Sequence, residues 1–266
     1  MRFSVLVSFY FKNNPEELDQ SLKSIFDNSV KPDEVVLVQD GNISQELLSV
    51  VNRYINLHNI KYIIIEKNKG LSYVLNHGLK YVKNDIVFRV DADDINLSHR
   101  FQTQLNLFKA GADVCGGDIK EIDNDYNFIG YRKCPKSNEE IMKRLKYRNP
   151  LNHMTVGFRK SAVDSVGGYP HLLFREDYGL WAKMIKSGYI FINSGDVLVK
   201  ARAGKEMYQR RSGFKNVIAE IKLQTFMVRL GVQSIYLAYI IGALRSLIFL
   251  LPNKVRGFIY ETFLRK

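Results

Sequence analysis

Three carboxylates fall within four positions of one stretch, Asp91, Asp93 and Asp94, directly after the apolar run that begins at Ile86. Like charges this close raise one another's pKa and call for a positive partner. A D-x-D arrangement at a strand end suits a hard divalent cation, Mg²⁺ or Mn²⁺. Such ions take oxygen ligands and keep positions open for phosphate oxygens. The same residues read equally well as a solvated acidic turn, with an Asp capping the next helix. A second acidic pair, Glu176-Asp177, opens a helical segment. Acids there stabilise the helix dipole, or one of them serves a reaction that needs a carboxylate base. Cys115 and Cys134 stand in no CxxC or His/Cys spacing, which argues against zinc and against a disulfide framework.

The elements that must carry these acids alternate. Residues 3–9, 34–41, 61–66 and 85–90 are short, apolar and rich in β-branched side chains. Between them, 15–29, 44–57 and 70–82 repeat apolar residues at helical spacing. Continuous apolar strands alternating with helices imply an α/β fold, its sheet mostly parallel and covered on both faces. Ligands of such sheets bind beyond the carboxyl ends of the strands. Here those ends are Ser8-Phe9-Tyr10, Asp40-Gly41 and the Asp91–Asp94 cluster. After about residue 110 the alternation loosens, although 175–189 keeps acids at its start and Gly188 at its end, as a capped helix does. Residues 1–204 read as one domain and 205–266 as a separate tail. The amino-terminal run reads as a first strand and lacks a small-residue cleavage site, so a cytosolic location is expected.

The 266-residue chain carries a net charge of +12. From Lys205 onward eleven Lys/Arg face three acids, so the tail holds most of that excess. A basic balance suits nucleic acid, an anionic membrane or an anionic substrate. No zinc finger, RRM or helix-turn-helix signature appears, and the basic residues interleave with aliphatic ones, so no nucleic-acid partner is expected. The uncharged stretch 231–244 has fourteen residues, short of the ~20 that span a bilayer. Ser234, Ala238, Gly242 and Arg245 line one helical stripe. Tyr236, Ile240, Ala243, Leu247 and Leu250 lie opposite. That pattern suits a helix lying in a membrane interface with basic flanks. The alternatives are a helix packed on the domain and a homodimer interface.

Five segments in order, SVLVSFY, EVVLVQDG, NKGLSYVLNHGL, DIVFRVDADDINLSHRF and GGYPHLLFREDYGLWAKM, resemble family 2 glycosyltransferases of the GT-A fold. The resemblance covers roughly 1–204. RAGKEMYQRR (202–211) also resembles a subset acting in bacterial surface polysaccharide assembly. The resemblance implies that Ser8, Phe9, Tyr10 and Asp40 hold the nucleotide base and ribose. Gln39 stands where many members have a second acid. It implies that Asn68, Gly70 and Asn76 lie near the donor. Asp91 would touch ribose or donor sugar and ligate the cation with Asp93, and Asp94 would orient either. Arg100 and His153 would lie by the donor, and Arg202, Arg210 and Arg211 are candidates to meet the leaving diphosphate. Asp177, with Glu176 beside it, matches the family's general base. Trp181 is a core residue or a sugar-stacking ring.

A nucleotidyltransferase would need a basic Gly-rich amino-terminal loop, which is absent. The remaining rival is a catalytically inactive, nucleotide-binding scaffold at the membrane. The expectation is therefore a metal-dependent, inverting glycosyltransferase. It would move a hexose or N-acetylhexosamine, such as galactose, from a UDP-sugar to a lipid-linked saccharide at the cytoplasmic membrane face, in O-antigen or capsule synthesis.

Overall fold

The computed structural model describes residues 1–123, 125–203, 213–252 and 255. Strands β1 (Phe3–Tyr10), β2 (Glu34–Asp40), β3 (Ile60–Ile65) and β4 (Ile86–Asp91) are joined through helices α1 (Pro15–Phe26), α2 (Gln45–Leu57) and α3 (Leu71–Leu79). They lie side by side in the order β3-β2-β1-β4, all parallel. β1, β2 and β4 are buried on both faces and mostly apolar, as a covered parallel sheet requires, while β3 at the edge exposes Lys61 and Ile64. On β1, Val5 and Val7 enter one core with Leu18 and Leu22 of α1 and Val51 of α2. Leu6 enters the opposite core with Val38, Leu75 and Leu79. α1 starts where Asn14 accepts the Glu16 N–H (2.8 Å), with Pro15 in its first turn. α3 lies tight on the sheet: a Cβ on Gly78 would come 2.6 Å from Leu6 Cδ1 and 2.9 Å from Val38 Cγ2.

The second half turns the sheet mixed. After β5 (Ile95–Asn96) and α4 (Arg100–Lys109) come β6 (Val114–Ile122), β7 (Phe128–Arg132) and α5 (Asn138–Leu145). A 3₁₀ turn (His153–Thr155), β8 (Gly157–Arg159), α6 (Lys160–Ser165), α7 (Glu176–Lys186) and β9 (Phe191–Arg202) follow. β8 runs antiparallel to β4 and β6, and β9 runs parallel to β6 and antiparallel to β5. β6 and β7 form an antiparallel hairpin, the pairing a short loop permits. The expected parallel sheet thus describes the first ninety residues, where crossover helices exist to make it.

Helices α8 (Phe214–Arg229) and α9 (Ile235–Leu250) close the described chain. Leu223 and Met227 of α8 join the core that holds Leu180 and Trp181, so Trp181 is a core residue with no face left for a sugar. The small-residue stripe of α9 turns inward: Ala238 is buried and Gly242 lies against Gln224 of α8. Tyr236 and Tyr239 are 81% and 80% exposed, with Ile240, Leu244 and Leu247 beside them. Among the described residues no helix is long and apolar enough to cross a membrane. Cys115 and Cys134 are free thiols. Burial pushes them up to about 12 and about 11 respectively, so neither is a nucleophile at neutral pH.

Candidate active site

Strand register assembles the site. Ser8 aligns with Val38 on one side and Asp91 on the other, and Tyr10 aligns with Asp40. The carboxyl ends of three strands therefore share one edge. Ser8 and Tyr10 are half-buried there, whereas Phe9 points into the opposite core. The period-2 alternation of a strand excludes its ring from a nucleotide base.

Asp40 is buried, 5% exposed. Its two oxygens accept the backbone N–H groups of Lys69 (2.7 Å) and Gly70 (3.0 Å). The Asn68 amide donates to the Asp40 carbonyl at 3.3 Å. Asp40 thus anchors the 68–70 loop, which turns into α3 through Gly70 at φ 83°. Gln39 braces the same edge, donating to the Gly41 carbonyl at 2.8 Å. The Asn76 amide donates to the Tyr169 carbonyl and its oxygen accepts the Tyr169 N–H, both at 2.8 Å. It clamps the segment leading to α7. Arg100 is fully buried beneath the site. It donates to Gln104 (3.0 Å), to Asn96 and to the Arg89 carbonyl (2.8 Å), so it supports β4 from below and reaches neither donor nor solvent.

The acid cluster has its positive partner, and it comes from the same strand. Arg89, 3% exposed, pairs through both terminal nitrogens with Asp91. Ligand oxygens of Asp91, Asp93 and Asp94 lie within 4.8 Å of one another. Burial, then the Asp91 and Glu17 carboxylates, push Asp93 up to about 6. Burial, then Asp93 and Asp91, hold Asp94 well above the usual carboxylate range. One arginine leaves this corner rich in negative charge, and three hard oxygen donors at this spacing fit a hard divalent cation. Arg202 closes the other side. Its backbone N–H donates to Asp94 (3.0 Å), its Nε lies 3.3 Å from Glu17, and its Nη2 donates to Gln20 (2.6 Å). Its Nη1 is buried with no hydrogen-bond partner among the described residues. Arg210 and Arg211 lie outside the described residues.

The second acid pair starts α7. Asp177 accepts the Tyr178 N–H at 2.7 Å on one oxygen and the Asn149 amide at 2.6 Å on the other. Burial raises Asp177. Burial and the Asp177 carboxylate raise Glu176 to about 7. The Arg89 charge opposes the upward shifts of Asp93, Asp94, Glu176 and Asp177 alike. It also adds to the burial that takes His153 well below its ordinary value. His153 is therefore neutral, with Nε2 3.1 Å from the Tyr169 hydroxyl. The charge of one guanidinium thus acts on both acid clusters.

Sequence reading passed over Arg89, Asn149 and Glu17. A lone charge inside an apolar strand was a signal for Arg89, since a buried cation needs a partner. Nothing in the sequence marked Asn149, which is 28 positions from the acid it holds.

The model of glycosyl transferase family 2 matches residues 4–167. The amylovoran biosynthesis glycosyltransferase AmsE of Erwinia amylovora is 37% identical over 261 residues, 97% of this chain and 98% of that one. An Escherichia coli UDP-Gal:alpha-D-GlcNAc-diphosphoundecaprenol beta-1,3-galactosyltransferase is 38% identical over 268 residues, 100% of this chain and 97% of that one. Among solved structures, S. aureus TarS 1-349 in complex with UDP-GlcNAc superposes with a TM-score of 0.65 at 21% identity, over 85% of this chain and 66% of that one. The chain spans 43% of the longer TarS chain. The mannosyltransferase PcManGT from Pyrobaculum calidifontis, in complex with GDP-Man and Mn²⁺, gives 0.63 at 19% identity, over 96% and 77%. At these identities the structural likeness shows the fold, which is GT-A. The family match and the full-length relatives show the rest: this chain belongs to glycosyl transferase family 2 and is a glycosyltransferase.

Proposed function

We propose that the chain is an inverting galactosyltransferase that uses UDP-galactose and a diphospholipid-linked saccharide. The observation that carries this is the acid triad at the end of β4 together with the acid pair that opens α7, the Arg89 charge acting on both. One cluster is a triad and the other a base pair. The name of the E. coli relative supports the sugar and the acceptor class.

Asp91, Asp93 and Asp94 would hold Mn²⁺ or Mg²⁺, which when bound supplies positive charge for the leaving diphosphate. The Nη1 of Arg202, a buried donor with no partner among the described residues, would be satisfied by a phosphate oxygen. Ser8 and Tyr10 line the nucleotide edge. Asp177, fixed on both oxygens by Asn149 and the Tyr178 N–H, takes the proton of the acceptor hydroxyl as its oxygen bonds to C1 of the sugar. The bond from C1 to the diphosphate oxygen breaks on the opposite face, so configuration inverts and the nucleoside diphosphate leaves with the bonding electrons. Neutral His153, held 3.1 Å from the Tyr169 hydroxyl, does not compete for the proton. The exposed apolar face of α9, continued by Lys254 and Arg256 in sequence, lies on an anionic membrane surface, where a lipid-linked acceptor resides.

Calorimetric titration with UDP, GDP, TDP and CMP, each with and without Mn²⁺, tests the donor class. Tight, Mn²⁺-dependent binding of UDP alone is expected, and binding of none of them sinks the proposal. Asp177→Asn keeps UDP binding and loses transfer; near-normal turnover in that variant removes Asp177 as the base.

A further inference from the structure

One buried carboxylate ties the last two helices to the segments that carry Glu176 and Asp177. Glu220, on α8, is 0% exposed. Its Oε2 lies 3.3 Å from Arg175 Nε, and its Oε1 accepts from Arg245 Nη1 (2.8 Å) and Gln224 Nε2 (2.8 Å). Each arginine then grips one of the two segments that aim the acid pair. Arg175 is the residue directly before Glu176, at the cap of α7. Its Nη1 donates to the carbonyl of Phe174 at 2.9 Å, and Phe174 holds a left-handed backbone at φ 60°. A non-glycine residue keeps that conformation only where its surroundings over-determine it. Arg245, on α9, donates from Nη2 to the carbonyl of Tyr147. Two residues on, Asn149 donates to Asp177.

A carboxylate is a poor choice for merely gluing helices. Apolar residues of similar volume hold a buried contact as well or better, because they need no desolvation. What Glu220 adds is direction, since it fixes two cations that would otherwise repel. We propose that Glu220 is a positioning residue for transfer: through Arg175 and Arg245 it sets the angle of Glu176 and Asp177. The α8–α9 pair is then part of the active site and not an appendage to it. Its inner face aims the base while its outer apolar face meets the lipid surface, so the base keeps a constant height above the membrane. This rests on the transfer reading given above.

The test uses the full chain, UDP-galactose and a synthetic N-acetylglucosaminyl diphospholipid. For Glu220→Gln, kcat falls about tenfold or more while KM values and UDP affinity stay within about threefold, because a small misorientation of a base costs the chemical step first. Glu220→Asp recovers part of the loss, and Thr225→Ala, an exposed change on the same helix, has none. Unchanged kcat in Glu220→Gln overturns the proposal. So does a fall in UDP affinity and melting temperature that accounts for the whole loss. If Glu220→Gln cannot be purified folded, Arg245→Lys decides. Its shorter amine meets Glu220 but not Tyr147 as well, so a fall in kcat with UDP binding intact supports the proposal, and an unchanged kcat overturns it. A wild-type protein that transfers no sugar in this assay counts against the proposed galactose donor and lipid-linked acceptor, and not against the geometry of Glu220.

Discussion

At the scale of single residues, the site is organised by where charge is left uncompensated. Arg89 satisfies Asp91 and leaves Asp93 and Asp94 facing each other in a buried corner. Asp93→Ala is therefore expected to abolish the Mn²⁺-dependent part of UDP binding; titration showing wild-type dependence refutes the ligand assignment. Glu176 presents the opposite linkage problem. Its folded value is about 7 against an ordinary 4.5. A carboxyl raised on folding contributes stability fully present below its unfolded pKa and lost as pH rises through its folded one. The folded protein thus pays for ionising Glu176 between those values. Glu176→Gln cannot ionise, so its melting temperature should rise relative to wild type between about pH 5 and about pH 8. A difference that stays flat over that interval contradicts the burial of the pair.

At the scale of elements, the same few devices recur: a side chain spent on holding another segment's backbone. Asp40 ties the 68–70 loop to the end of β2, Asn76 ties α3 to Tyr169, and Asn149 ties the stretch after α5 to α7. Each of these residues gives polar atoms to the protein itself. The close seat of α3 makes a further demand. A methyl at Gly78 has nowhere to go, with Leu6 Cδ1 at 2.6 Å. Gly78→Ala should destabilise the fold by about 1–3 kcal/mol through overpacking. Urea unfolding measures it, and a stabilised variant would mean that α3 sits further from the sheet.

At the scale of the whole molecule, two cores sandwich the sheet, and α8 belongs to one of them. The outer surface of α9 carries a run of exposed apolar side chains with no acid among them. Replacing Tyr236, Tyr239 and Leu247 together by Ser should weaken sedimentation with anionic phosphatidylglycerol vesicles by about tenfold, since each residue contributes buried apolar area. UDP binding should not change. Equal vesicle binding by the variant would shift the outer face to another role, with self-association readable by light scattering.

The alternation of apolar strands and helices in residues 1–91, and the order of the acidic motifs, were enough to specify an α/β fold, the family and the two acid clusters. Those properties are local: period, run length and spacing are written along the chain. The sequence did not specify which polar side chains face the ligand and which serve the backbone. Phe9, Asp40, Asn76 and Arg100 sit within or beside the right motifs, yet strand parity, two loop N–H groups, the Tyr169 segment and the floor of β4 claim them. Nor did it reveal that Arg89 answers the acids from two positions away, that Asn149 holds Asp177, or that Glu220 joins the carboxy-terminal helices to the base. Hydrogen bonds and buried ion pairs join residues brought close only by packing, and their partners lie 28 to 93 positions apart in the pairs Asn149–Asp177 and Asn76–Tyr169. Tertiary structure decides such pairings because burial makes an unpaired charge or amide too costly to leave, whatever its neighbours in sequence.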